Sequence, residues 1–323
     1  MIRPHTSSPR GITILARLSL LGILLQAACW VQAAEWPQFR GLGRDGISGE
    51  TGLLSAWPAT GPARRWRREG LGKGYSSAVV AAGIVYVTGD AGDDLVISAL
   101  RREDGSRLWQ MHNGAAWKGQ FPGSRASCTV VGSRLYHMNA HGRVVCLDAS
   151  TGAEVWAVDI LERFAGKNIQ WGMSECLLVD SERVIVTPGG DHAFLAALRT
   201  DTGETSWSSE PLRFLRTEAF GGKAVDPPVP DIDRAGYASP ILFTVNGRRL
   251  LAATGSRHYV IADAADGRLL WTKQIPVRYE VIGAIPVWCP EGIVFAAPDI
   301  GTSLYRVTFQ NDELRVEEAW HHP

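Results

Sequence analysis

The sequence predicts an all-β fold: a propeller of four-stranded antiparallel blades, about five of them, preceded by an orphan strand. Three observations carry this reading. A tryptophan returns four residues behind a glycine in Gly105–Trp109, Gly152–Trp156, Gly203–Trp207 and Gly267–Trp271. A turn-former stands directly before each glycine (Asp104, Thr151, Thr202, Asp266), and a small or apolar residue stands ten positions before each tryptophan (Ala99, Cys146, Ala197, Ile261). Two more strand-like runs lie upstream of every copy. One spacing used four times means one supersecondary unit built repeatedly, each burying its faces against its neighbours.

The elements follow in order. Residues 62–69, around Trp66, read as an isolated outer strand. The first blade, about 75–110, has runs at 75–80 and 84–88 before its hairpin. The second, about 124–158, has runs at 127–131 and 135–138, then strand 144–147, turn 148–152 and strand 153–156. The third, fourth and fifth span about 172–209, 237–273 and 283–320, the last ending at Trp320. Asp-Gly and Thr-Gly suit the hairpin turns because glycine accepts positive φ. Each tryptophan ring can fill the wedge between neighbouring sheets, burying ~150–250 Å². The proline-rich stretch 226–231 predicts a rigid loop, which accounts for the long interval between Trp207 and Trp271.

The second copy, Cys146-Leu147-Asp148-Ala149-Ser150-Thr151-Gly152-Ala153-Glu154-Val155-Trp156, resembles the pyrrolo-quinoline quinone (PQQ)-like repeat, roughly Ala-x-Asp-x-x-Thr-Gly-x-x-x-Trp. The opening Trp36-Pro37-Gln38-Phe39-Arg40-Gly41, with Arg44-Asp45-Gly46, is similar to the entry segment of secreted bacterial PQQ-binding-like propellers of the quinoprotein alcohol dehydrogenase-like superfamily. The resemblance covers about residues 36–320. It implies a fold rather than an activity, since such blades serve dehydrogenases and an outer-membrane assembly lipoprotein alike. It also implies seven or eight blades, with an N-terminal strand completing the last. Five counted blades leave no three-stranded partner for the Trp66 strand, so an incomplete ring is expected.

Residues 1–34 read as an export signal. Arg3, Arg10 and Arg17 form a basic region, 18–28 an apolar core, and Val31-Gln32-Ala33 a cleavage site. The expected location is periplasmic or secreted. Cys29 follows a poor lipobox, with Gln26 at an apolar position, so lipidation is the lesser expectation. Cys128 and Cys146 fall on strands two apart, roughly 9.6 Å from each other and beyond the ~7 Å a disulfide tolerates. With Cys176 and Cys289 they read as small apolar residues. The 33 basic residues balance the 33 acidic ones, which leaves no basic field for nucleic acid. No transmembrane run follows the signal.

Loops feeding the innermost strands should converge on the propeller axis. The candidate cofactor-binding residues there are Lys73, Tyr75, Arg125, Trp171, Glu175 and Tyr237. Together they would suit a planar polycarboxylate: Lys73 and Arg125 on carboxylates, Trp171 or Tyr237 stacking, Glu175 on a cation. The structural alternative is that Arg125 and Glu175 pair with each other or with a neighbouring blade. The resemblance implies PQQ with calcium as the cofactor. Glu175 could stand for the family's glutamate, while its asparagine, its aspartate base and its adjacent cysteine pair have no match here. The sequence assigns no catalytic residue, no metal ligand and no cofactor outright. Its leading reading is an exported, non-catalytic binding or scaffold module with a protein or small-molecule partner. The alternatives are a PQQ-dependent alcohol or sugar dehydrogenase and an outer-membrane protein assembly scaffold.

Overall fold

The computed structural model describes residues 35–323. The expected export signal and Cys29 lie outside the described residues. Five sheets carry four antiparallel strands and a sixth carries two. Blade one is β1 (Val79–Ala81), β2 (Ile84–Ala91), β3 (Asp94–Arg101) and β4 (Arg107–Ala115). Blade two is β5 (Thr129–Val131), β6 (Arg134–Met138), β7 (Arg143–Asp148) and β8 (Glu154–Asp159), followed by the short helix α1 (Ile160–Arg163). Blade three is β9 (Leu178–Asp180), β10 (Arg183–Val186), β11 (Ala196–Arg199) and β12 (Thr205–Ser208). A hairpin of β13 (Arg213–Glu218) and β14 (Ala224–Ile232) comes next. Blade four is β15 (Ile241–Val245), β16 (Arg248–Thr254), β17 (His258–Asp263) and β18 (Leu269–Gln274). Blade five is β19 (Val287–Cys289), β20 (Gly292–Ala297), β21 (Gly301–Gln310) and β22 (Glu313–His322). Every blade is a simple meander, and the first strands β1, β5 and β9 lie beside one another.

The core is a series of clusters between blades. Along β7, Val144 and Cys146 face blade three, while Val145 and Leu147 face blade one. Along β16, Leu250 and Ala252 face blade five, and Leu251 and Ala253 face blade three. Strand alternation therefore explains why the middle strands read as unbroken apolar runs: both faces are buried.

The tryptophan repeat is the seam between blades. Each tryptophan pairs across its hairpin with the residue ten positions earlier: Trp109 with Ala99, Trp156 with Cys146, Trp207 with Ala197, Trp271 with Ile261. A register shift directly follows each of those partners. The ring then crosses to the next blade. An added Cβ on Gly152 would meet the Trp109 ring at 2.6 Å, one on Gly203 the Trp156 ring at 2.7 Å, and one on Gly267 the Trp207 ring at 2.3 Å. The indole of Trp109 donates to Ala149 O (3.0 Å) and that of Trp156 to Thr200 O (2.9 Å). These glycines also hold φ near 75°, so both conformation and contact demand glycine.

Residues 62–69 form no strand and enter no ladder, which corrects the expected orphan strand. Trp66 nevertheless docks on Gly105 of blade one, its indole donating to Arg102 O at 2.7 Å. It fills the seam position of a preceding blade's tryptophan. The proline-rich 226–231 stretch is also corrected, because it lies within β14, where Pro230 opposes Leu215. A two-stranded ribbon keeps free edges, so its prolines forfeit no ladder bond and discourage further pairing. Cys128, Cys146, Cys176 and Cys289 are free thiols, the first three buried. No helix among the described residues is long and apolar enough to cross a membrane.

Candidate functional site: an aromatic cleft at one end of the axis

The first strands run from one end of the axis to the other, and the two ends differ. At the far end, residues 36–44 are stitched across three blades. Trp36 exchanges backbone bonds with Val80, Val130 N donates to Pro37 O, and the buried Arg44 donates to Cys176 O (2.8 Å) and Leu177 O (3.1 Å). Gln38 Oε1 orients Arg44 by accepting a third bond at 3.0 Å.

The near end is an open cleft of about 590 Å³ lined by Tyr75, Phe121, Arg125, Trp171, Ser174 and Tyr237, contributed by four blades. Four of the six candidate residues thus meet. Hydrogen bonds between loops place them. Tyr75 N donates to Ser124 O (2.7 Å), and Gly74 lets the two loops approach, since its missing Cβ would sit 3.1 Å from Ser124 O and Thr88 O. Trp171 N donates to Tyr237 Oη (3.1 Å), Trp171 Nε1 to Gln120 Oε1 (2.8 Å), and Ser174 Oγ to Tyr237 O (2.9 Å). The Trp171 and Tyr237 rings lie 5.8 Å apart at 44°. Tyr75 and Phe121 are 65% and 63% exposed, an unusual concentration of solvent-facing aromatic surface.

Arg125 is partly committed to its own loop. It donates to Gly123 O (2.6 Å), Phe121 O (2.8 Å) and Gln120 O (3.1 Å), and it lies over the Trp117 ring. Burial pulls its pKa down, and the fields of Tyr75 and Asp90 oppose that. It does not pair with Glu175.

Lys73 and Glu175 do not join the cleft. The Lys73 backbone is bonded to Asp90 in both directions, and its exposed side chain is not among the lining groups. Glu175, although it adjoins the lining Ser174, is not among the groups that line the cleft. It is 2% exposed, and its Oε2 accepts from Thr187 N at 3.1 Å. Burial pushes its carboxyl up to about 7, against the Thr187 bonds and the Arg44 charge. Its Oε1 and Arg44 Nε, both buried, have no partner.

PQQ with calcium does not fit these residues. Calcium takes six to eight oxygen ligands, and the carboxylate proposed for it does not line the cleft. Three of Arg125's donor bonds are already directed at carbonyls of its own loop. Among the described residues, no group of three His, Cys, Asp or Glu side chains is placed to hold a metal ion.

Sequence reasoning missed three features. Phe220, at the tip of the β13–β14 hairpin, extends the aromatic surface to Tyr279 (centroids 5.6 Å apart) and Trp171 (6.3 Å); a proline-rich hairpin gives no local sign of where its tip lands. Arg44, in the Arg44-Asp45-Gly46 segment, is a buried tie to Cys176 and Leu177, just before the first strand of blade three, and nothing in its neighbours along the chain marks it as such. Asp233 is a buried hub that accepts from Ser256 Oγ (2.6 Å), His258 Nδ1 (2.8 Å) and Arg257 N (3.1 Å). Serine and histidine both bond the carboxylate, so the imidazole does not stand between them as a nucleophile's base must. The hub braces a loop.

A family model described as outer membrane protein assembly factor BamB matches residues 92–225. The outer membrane protein assembly factor BamB of Yersinia pestis is 27% identical over 144 residues, which is 43% of this chain and 33% of that relative. The match therefore spans about a third of the relative's length. Among solved structures, the quinohemoprotein alcohol dehydrogenase of Comamonas testosteroni aligns with a TM-score of 0.42 at 15% identity, covering 86% of this chain and 59% of that one. BamB of Moraxella catarrhalis aligns with a TM-score of 0.38 at 16% identity, covering 77% and 75%. With its glycine–tryptophan seams and its five four-stranded meanders the chain has the architecture of a β-propeller, and its repeats are similar to the PQQ-like family over the stretch from β3 into β14.

Proposed function

We propose that this chain is an exported, non-catalytic binding module that holds a segment of a partner protein in the axial aromatic cleft. One observation carries the reading: Tyr75, Phe121, Trp171 and Tyr237 converge from four blades on one solvent-open surface. Rigid aromatic side chains supply contact area at little entropic loss, and they dominate protein-binding sites for that reason. The family model named for an outer-membrane protein assembly factor spans the two loops that contribute Phe121 and Trp171, which supports a protein partner in the cell envelope. The dehydrogenase reading finds no support in the donor set.

The test is affinity capture from the envelope fraction with the wild-type chain and with Trp171→Ala, the partner being identified by mass spectrometry. An envelope protein held by the wild type and lost from the folded variant is the expected result. Capture that is indifferent to Trp171→Ala overturns the reading. So does turnover of an alcohol in the presence of PQQ, calcium and an artificial electron acceptor.

A further inference from the structure

The axial cleft does not end at Tyr237. That ring is shared with a second cavity of about 370 Å³, where Gln170, Phe220, Tyr279 and Arg234 also form walls. Arg234 is shared in turn with a third cavity of about 270 Å³, between the 189–191 turn of blade three and the β13–β14 hairpin, which Lys167, Arg213 and Phe214 line. The shared walls set the three hollows in a row, leading from the axis outward between blades three and four.

The charges along this row fall into two groups. Its carboxylates are largely neutralised from within. Glu280 is bound by Arg216 and Arg257, and Asp231 by Arg216. Burial pushes the Glu280 carboxyl up, but the two guanidinium groups outweigh it and hold its pKa below the ordinary value. Asp191 alone stands unpaired, exposed at the outer wall. The cations are less fully matched: among the described residues, Arg125, Arg234, Arg213 and Lys167 make no direct ion pair, although Arg125 lies in the field of Asp90 and Arg234 in that of Asp231. The whole chain has a net charge of zero, so this surplus is local. Unpaired cations lining a concave surface favour an anionic occupant.

We propose that the occupant is an acidic polypeptide segment. Its aromatic or aliphatic anchor lies against Trp171 and Tyr237, and carboxylates farther along meet Arg234, Arg213 and Lys167. This deepens the reading of the cleft as a protein-binding site and rests on it. A nucleic acid would need a regular row of cations for its phosphates. Here the cations share their cavities with Glu280 and Asp231, an arrangement suited to a few discrete carboxylates making charge-assisted bonds.

The experiment uses fluorescence anisotropy on the full chain. One probe is a labelled peptide of roughly ten residues with one tryptophan followed by glutamates; a second has every glutamate replaced by glutamine. The acidic peptide is expected to bind about tenfold tighter than the neutral one. That advantage should shrink between roughly 50 and 300 mM salt. Arg213→Ala combined with Arg234→Ala should erase the difference between the two peptides, with circular dichroism confirming the fold. Equal binding of the two peptides, or an advantage that survives the double variant, overturns the acidic assignment while leaving the cleft reading intact. Tighter binding of an oligothymidylate of equal length also overturns it. If neither peptide binds and envelope capture is indifferent to Trp171→Ala, the cleft reading itself has failed.

Discussion

The front of the propeller, blades one to three, is held together differently from the back, blades four and five. At the front, Trp66, Trp109 and Trp156 each dock on a glycine of the following blade and each donates its indole N–H to a carbonyl there. Residues 36–44 then tie the first strands of the same three blades. At the back, Trp207 still docks on Gly267, but its buried Nε1 has no partner. The carbonyl in the matching position, Ala264 O, accepts from Arg183 instead. Trp271 has no glycine to meet, since the β21–β22 turn carries Asn311 and Asp312 at positive φ. It packs on Tyr305 (5.2 Å) and Phe295 (6.3 Å), while Tyr259 stacks on Phe295 at 4.5 Å. One seam is a directional joint with a hydrogen bond, and the other is an aromatic pack. A joint of the first kind tolerates little change at its glycine, whereas an aromatic pack can readjust.

Four predictions probe that difference. The largest effect belongs to Arg44. Arg44→Met leaves the carbonyls of Cys176 and Leu177 and the buried Glu175 without their cation, and should destabilise the front by about 3–5 kcal/mol in urea unfolding. A loss under about 1 kcal/mol would show that residues 36–44 are not the tie described.

Gly152→Ala comes next. Its Cβ would sit 2.6 Å from the Trp109 ring at φ 75°, so a loss of about 2–4 kcal/mol is expected. Asn311→Ala, at the corresponding turn of blade five, should lose no more than about 1 kcal/mol. Equal losses would erase the distinction between the seams.

The third concerns pH. The folded protein binds the Glu175 proton up to about pH 7, well above the ordinary value of 4.5. The stability from this group is therefore complete below pH 4.5 and is lost as pH rises through 7. Glu175→Gln should match the wild type in acid and exceed it above neutrality by on the order of 3 kcal/mol. Parallel pH profiles for the two proteins would refute this.

The smallest is a paired substitution. Trp156→Phe removes a satisfied indole bond and leaves Thr200 O with only the longer bond from Tyr136 Oη and the Cys146 thiol, for a loss of about 1–2 kcal/mol. Trp207→Phe removes an orphaned donor and should stay within about 1 kcal/mol of the wild type. A larger drop in melting temperature for Trp156→Phe than for Trp207→Phe is the expected outcome, and equal drops would show that the indole bond adds nothing to the front seam.

The repeat was legible because its causes are local. Glycine at positive φ, the turn before the tryptophan and the cross-strand partner ten residues back all belong to one hairpin, and their spacing records them. The position of the cleft was legible too, because equivalent loops of successive blades must meet at the axis. Which side chains enter it was legible only in part. Tyr75, Arg125, Trp171 and Tyr237 line it, while Glu175 is buried outside it and accepts from Thr187 N, and a polar residue in a loop carries no mark of the side it takes.

The sequence by itself therefore determined the blade, its turn, its seam residues and the loops gathered at the axis, since each depends on neighbours within one repeat. Only the tertiary structure decided that Arg44 is buried against Cys176, 132 residues away, that Glu175 is buried outside the cleft, and that the hairpin tip carries Phe220 to Trp171. Those choices depend on which distant surfaces exclude water together. Burial of that kind is settled by the packing of whole blades, which no local spacing records.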